Sequence, residues 1–261
     1  MDLQKLVAYM CKCAKKASKI ILSAKNLKVD NKTSQRDMVT QYDKAVQDRL
    51  YSLLRKKYPQ VNFVGEENGL GEGVDPYKGE VFIIDPIDGT ANFVNDIGAS
   101  GISIAYLKDG EVLAGCMAHP FRNEVYTATK GGGAFRNGKP ISVNDYTLKQ
   151  GITGFGTSVY YNELIEPTIR IFERALPVCN DLRRIGSAAI DICYLADGRF
   201  CAFFESRLAP YDYAAAKLIL EEAGGIITDY DGNPLRFDKK CSVVAGNKQT
   251  YAEILKIVKG E

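Results

Sequence analysis

The stretch VFIIDPIDGTANF, residues 81–93, constrains the fold more than any other part of the chain. Val81, Phe82, Ile83 and Ile84 form an unbroken apolar run. Such a run predicts a strand covered on both faces. It ends abruptly in Asp85, with Asp88 three residues later. Two carboxylates this close repel one another, by about 4 kcal/mol at a separation of ~4 Å and an effective dielectric of ~20. A hard cation between them is the simplest remedy, and oxygen ligands suit Mg²⁺.

The chain has 261 residues, which allows one large domain or two modest ones. Charged residues make up 25% and hydrophobic ones 46%, ordinary values for a soluble globular protein. The formal net charge of +2 gives no global basic field, so neither nucleic acid nor a membrane surface is expected as a partner. The opening MDLQKLVAYMCKCAKK spaces its apolar residues with lysines, unlike a signal peptide. No segment approaches the ~20 apolar residues of a membrane span, and the expected location is the cytoplasm. The seven cysteines are an odd number and are mostly scattered through apolar segments. Cys11 and Cys13 form C-x-C, and clustered pairs at zinc-site spacing are absent. Reduced, mostly buried thiols are the expectation.

Leu3, Leu6, Val7, Met10, Ala14, Ala17 and Ile21 recur at helical spacing, predicting an amphipathic helix over residues 2–24. The polar KVDNKTSQRD after it predicts a mobile loop. A second helix is predicted from about Val39 to Lys57, stopped by Pro59. Then VNFVG predicts a strand. GISIAYL and EVLAGCMA predict a hairpin around Asp109-Gly110, and EVYTATK, GGGAF and NGKPISV continue the meander. From about residue 150 strands and helices alternate. Helices are predicted over 162–176, over GSAAIDICYLAD with Ser187 as N-cap, over YDYAAAKLILEEAGG and after Asn247. FCAFFE, GIITDY and SVVAGN predict strands. The composition shows no linker. The expectation is a single domain over 1–261, of mixed α+β and α/β character. Its lobes are an antiparallel sheet with helices (about 1–148) and an α/β lobe (about 149–261).

Three acidic clusters share a context. Glu66 and Glu67 follow one strand, Asp85 and Asp88 end another, and Asp212 opens a helix. Strand ends and helix starts are where a site forms at a sheet edge. Taken alone, a loop Glu pair is solvated charge and an Asp at a helix start is a cap. In their order, GEE, DPIDGTANF and YDYAAAKLILEEAGG resemble the signatures of the inositol monophosphatase family, Mg²⁺-dependent, Li⁺-sensitive phosphatases related to fructose-1,6-bisphosphatase. The resemblance covers essentially the whole chain, including DMVTQYD, RRIGSAAID and FFE. One departure is Tyr211-Asp212 where the family usually has Trp-Asp. An aromatic is kept, and with it the packing role.

The resemblance implies a layered αβαβα sandwich, a homodimer, and a phosphatase that hydrolyses an inositol or sugar phosphate monoester by metal-activated water. Fructose-1,6-bisphosphatase, 3′-phosphoadenosine 5′-phosphate phosphatase and a non-catalytic binding protein on the same fold are the alternatives. Two or three Mg²⁺ ions per site are implied, with Glu66, Asp85, Asp88 and Asp212 as carboxylate ligands and Ile87 giving a backbone carbonyl. Glu67 is implied at the site through water. Asp43 and Thr90 are implied as the pair that orients the attacking water, and Lys32 as a loop lysine near the phosphate. Glu205, Gly186, Ser187 and Ala188 fall at substrate-binding positions, together with Asp212. Gly89 and Thr90 lie at a predicted helix start, where free N–H groups suit a phosphate. Asp43 also stands three residues after Thr40, so half of a capping box is an equally open role by spacing. Arg183 and Arg184 are either surface charge or a clamp for a second phosphate. His119 and Cys116 carry no phosphatase motif; His119 is expected to be structural.

Overall fold

A computed structural model of the chain describes residues 1–31, 38–68, 73–158 and 160–261. Helix α1 (Leu3–Leu22) begins at Asp2, whose carboxylate accepts from Lys5 N at 3.1 Å. The strands β1 (Val29–Asn31) and β2 (Met38–Thr40) pair antiparallel, and α2 (Gln41–Lys57) follows. The segment read as a mobile loop therefore opens with a strand. Residues 32–37, with Lys32, lie outside the described residues. Helix α2 starts two residues later than its pattern suggests, because Thr40 is its extended N-cap.

The larger sheet runs in chain order: β3 (Asn62–Gly65), β4 (Glu80–Asp88), β5 (Gly101–Lys108), β6 (Glu111–His119), β7 (Glu124–Thr129), β8 (Ala134–Arg136) and β9 (Lys139–Pro140). Only β3 and β4 are parallel; the remaining neighbours are antiparallel. Between β5 and β6, Asp109 and Gly110 both take positive φ, the conformation their hairpin demands. The short helix α3 (Thr90–Val94) leaves the end of β4.

The smaller sheet holds β10 (Ile152–Phe155), β11 (Asp181–Arg183), β12 (Ala202–Leu208), β13 (Ile226–Thr228) and β14 (Cys241–Gly246), in the order β11-β10-β12-β14-β13. Its helices are α4 (Ile165–Ala175), α5 (Ala188–Ala196), α6 (Pro210–Glu222) and α7 (Tyr251–Lys259). Ser187 caps α5 as expected, and Gly198 follows its end with φ +72°.

Three apolar cores separate the layers. Phe82 and Ile84 of β4 pack with α1 and α2, whereas Val81 and Ile83 pack with α5 and α6. This alternation is the period of two expected of a strand. The third core joins Phe204 and Val244 of the smaller sheet to α4 and α7. The order of layers is thus helix pair, sheet, helix pair, sheet, helix pair, the αβαβα sandwich. It explains the apolar run of β4: each face of that strand meets a helical layer.

Candidate active site

Strand β4 does not simply end in charge. Asp85 pairs with Ser103 and Asp88 with Gly101, so three steps on β4 match two on β5. This bulge re-aims the strand. Pro86 sits inside it, where a missing N–H breaks no ladder bond. Asp85, Ile87, Asp88, Gly89 and Thr90 thereby line one cleft of about 440 Å³, a size typical of small-molecule sites. Glu66 and Glu67, in a 3₁₀ turn directly after β3, reach the same cleft, and so does Asp212 from the first turn of α6.

Each carboxylate already has a local duty. Asp85 Oδ1 accepts from Ile87 N at 3.0 Å, and its carboxyl is paired with that of Glu66. Asp88 Oδ2 accepts from Ser187 Oγ at 2.5 Å and from Ala189 N at 2.8 Å, tying the end of β4 to the start of α5. Asp212 Oδ2 accepts from Ala209 N at 2.7 Å, as half of a capping box. Cap and cleft residue are therefore compatible roles, since each group keeps a second oxygen. Burial, and then the charge of Glu66, Asp88 and Asp212, push the Asp85 carboxyl well above the usual range. Burial, then Asp88 and Glu66, do the same to Asp212. Asp88 is raised to about 6 by burial, against the pull of Ser187 and Ala189.

Charges that raise one another's pKa in this way are what a bound cation would relieve. The donor set is all oxygen, as Mg²⁺ prefers. Among the described residues no three acidic, His or Cys side chains close on one point as a ready cage. Mg²⁺ tolerates that, because it keeps several waters and takes only one or two carboxylates with substrate oxygens. The residues present fit the ion.

Asp43 lies behind this lining, fully buried. Its Oδ2 accepts from Thr40 N at 2.7 Å and from Thr40 Oγ1 at 2.6 Å, completing the capping box of α2. Its Oδ1 accepts from Thr90 Oγ1 at 3.3 Å. Thr90 Oγ1 also lies 3.1 Å from Ile87 O. The capping geometry and the link to Thr90 occur together, one on each oxygen. Gly89, before Thr90, has φ +85°, and a Cβ there would stand 3.0 Å from Gly186 O. Glycine suits both constraints.

The opposite wall comes from the smaller sheet. Gly186, Ser187, Ala188 and Glu205 line the cleft. The Ser187 hydroxyl is occupied in capping α5 and holding Asp88. Glu205 Oε1 accepts from Ser158 N at 3.2 Å and lies 3.4 Å from Ser158 Oγ. Burial raises its carboxyl to about 7. A methyl group at Gly156 would overlap the Glu205 carboxylate. The two arginines part company: Arg184 lines the cleft, while Arg183 pairs with Asp181. His119 is buried at the end of β6, away from the cleft lining, and burial lowers its pKa to about 4.

Several lining residues were not legible in the sequence: Ser158, Tyr160, Tyr161, Asp191, Arg207 and Lys240. Only Asp191 carried a signal, an acid inside the apolar helix AAIDICYLA. Its carboxyl is buried, and burial pushes it well above the usual range. Tyr211, the family's usual tryptophan position, packs against the central core and lines the cleft.

Residues 2–261 match the inositol monophosphatase family. An inositol-1-monophosphatase of Mesorhizobium japonicum is 36% identical over 85% of this chain and 83% of its own. Nus factor SuhB of Escherichia coli strain K12 is 35% identical over 96% of this chain and 94% of its own. The solved IMPase of Thermotoga maritima superposes with a TM-score of 0.86 at 32% identity, covering 98% of this chain and 97% of its own. The fold, the cleft and these likenesses agree: the chain belongs to the inositol monophosphatase family.

Proposed function

We propose that the protein is a Mg²⁺-dependent phosphatase that hydrolyses a phosphate monoester of inositol or a sugar. The observation that carries this is the set of four carboxylates, Glu66, Asp85, Asp88 and Asp212, on one cleft beside the Asp43–Thr90 hydrogen bond. These four, with the Ile87 carbonyl, would share two or three Mg²⁺ ions, each keeping several waters, and Glu67 would reach them through water. When bound, the metal would lower the pKa of a bound water and offset charge on the phosphate oxygens.

The chain's own residues do the positioning that phosphoryl transfer chiefly needs. Thr90 Oγ1 donates its proton to Asp43 Oδ1, leaving its lone pairs to accept from the attacking water. Gly89, which lines the cleft beside Thr90, would set its backbone against the substrate phosphate. Glu205, steadied by Ser158, accepts from substrate hydroxyls, with Gly186 and Ala188 shaping the wall beside it.

Purified protein should release phosphate from inositol phosphates in Mg²⁺, lose that activity in excess chelator and recover it on adding Mg²⁺ back. Li⁺ should inhibit. Undiminished release in chelator would sink the proposal.

The wall makes a second expectation. Glu205→Gln removes one charged acceptor, so kcat/KM should fall about tenfold or more on polyol phosphates and little on p-nitrophenyl phosphate. Gly156→Ala should reproduce that pattern by displacing the carboxylate. Equal losses on both esters would remove Glu205 from recognition.

The likeness to Nus factor SuhB favours a second reading, in which the chain also works as a Nus-type factor. Phosphate release in the assay above, and its loss in the metal-site variants, separates the enzymatic role from that one.

A further inference from the structure

Cys11 and Cys116 lie 105 positions apart in the chain, yet their sulfurs stand 3.7 Å apart, with the Cys116 thiol donating to Cys11. Among the described residues no other two cysteines are hydrogen-bonded to each other. The periodicity of the two elements produces this contact. On β6, Ala114, Cys116 and Ala118 face the core shared with α1 and α2, while Met117 faces the opposite core. On α1 the buried stripe includes Met10, Ala14 and Ala17. Cys11 follows Met10 and sits at the edge of that stripe, half-buried against the same core. Cys116 is fully buried. One thiol is thus inside the layer and the other at its margin, where solvent reaches it.

The pair is chemically unequal. The hydrogen bond from Cys116, and then the charge of Lys15 one helical turn on, lower the Cys11 pKa against its burial. The same hydrogen bond, and then burial, raise that of Cys116. The thiolate is the nucleophile, so Cys11 is the reactive member. Burial raises Cys13 and Cys201 to about 11, and moves Cys179 and Cys193 upward as well. Cys13 does not face Cys11, because residues two apart on a helix lie on different faces.

We propose that Cys11 and Cys116 form a reversible modification site for small disulfides of the glutathione class, which close the pair into a disulfide that staples α1 to the larger sheet. The Cys11 thiolate attacks one sulfur of the small disulfide. A mixed disulfide forms and a small thiolate leaves. Cys116 gives its proton to that thiolate, and the Cys116 sulfur attacks the Cys11 sulfur. The protein disulfide forms, and the second small thiolate leaves and takes a proton from solvent. Two electrons pass from the cysteine pair to the small disulfide, which ends as two thiols. The two sulfurs need to approach by about 1.7 Å to reach the ~2.0 Å of an S–S bond. In a reducing compartment the pair stays open and closes only under oxidation. Among the described residues none of α1 lines the acidic cleft, so closure is read in stability and is independent of the phosphatase reading.

Oxidised glutathione is the probe. The native protein is incubated with it, alkylated, digested and read by mass spectrometry. A Cys11–Cys116 link should form and reopen in reduced glutathione, with Cys13, Cys179, Cys193, Cys201 and Cys241 still alkylated as free thiols. Cys116→Ala and Cys116→Ser delete the buried thiol in two ways, and both should stop at the mixed disulfide on Cys11. Cys11→Ser should leave Cys116 unmodified. The linked wild type should melt about 5 °C or more above the reduced form, because the bond closes a long loop, and Cys11→Ser should show no such rise. Glutathione found first on another cysteine, a link to Cys13, or a link that forms only in denaturant overturns the site. A linked form that melts no higher overturns the staple.

Discussion

Asp212→Asn should lower kcat about 10²-fold or more while leaving the metal-free protein at least as stable as the wild type. The rate follows from the several kcal/mol of charge stabilisation that a metal supplies, at one factor of ten per 1.36 kcal/mol. The stability follows from the site. An amide oxygen can keep the bond from Ala209 N, so α6 retains its cap. The change also removes one charge from a buried group of like charges. The same repulsion sets a pH dependence. A carboxyl whose pKa is raised by folding contributes stability below its unfolded pKa and loses it as pH rises through the folded one. In chelator the wild type should therefore lose stability as pH rises from about 4, with the Asp88 part of the loss complete above about 6 and the Asp85 and Asp212 parts continuing to higher pH. Mg²⁺ should flatten that slope, and Asp212→Asn should make it shallower even without metal. Thermal melts with and without Mg²⁺, beside kinetics per folded molecule, check each point. A variant that melts far lower in chelator yet turns over normally would reduce Asp212 to a cap.

The legible part of this protein was the part governed by local pattern. The run Val81–Ile84 announced a strand covered on both faces, and Asp109-Gly110 announced a hairpin. Both signals act within a few residues. The strands β10 and β11 were invisible because ITGF and DLR have little pattern of their own. Parallel pairing with partners distant in the chain makes them strands. The site divided in the same way. The acids of GEE, DPID and YD stood out by charge at element ends. Ser158, Tyr161, Arg207 and Lys240 did not, because each is an ordinary surface residue type until the fold brings it to the cleft. Spacing offered Asp43 as a cap but did not reveal that its other oxygen holds Thr90, nor that Asp212 both caps α6 and lines the cleft.

That double duty gives Asp43 and Thr90 a sharper test. Thr90→Val keeps the branched shape and removes the hydroxyl. Gly89, not Thr90, is the N-cap of α3, so stability should change little. Asp43→Asn is subtler. Its amide oxygen can accept from Thr40 N and Oγ1, preserving the capping box, and loss of charge near a helix start should cost about 0.3–1 kcal/mol. Its NH₂ then faces Thr90 Oγ1 as a donor. The hydroxyl can no longer pass its proton to Asp43, and the direction of that hydrogen bond is reversed. Each single variant should lose about 10²–10⁴-fold in kcat, the range of a positioned proton acceptor. Mg²⁺ affinity should hold, because neither residue belongs to the four-carboxylate set. The double variant should lose scarcely more than the worse single one, since residues acting as a unit are non-additive. Steady-state kinetics, metal calorimetry and melts decide it together. Multiplicative loss in the double variant would mean two independent contributions. Abolished metal binding in either single variant would place that residue among the ligands instead.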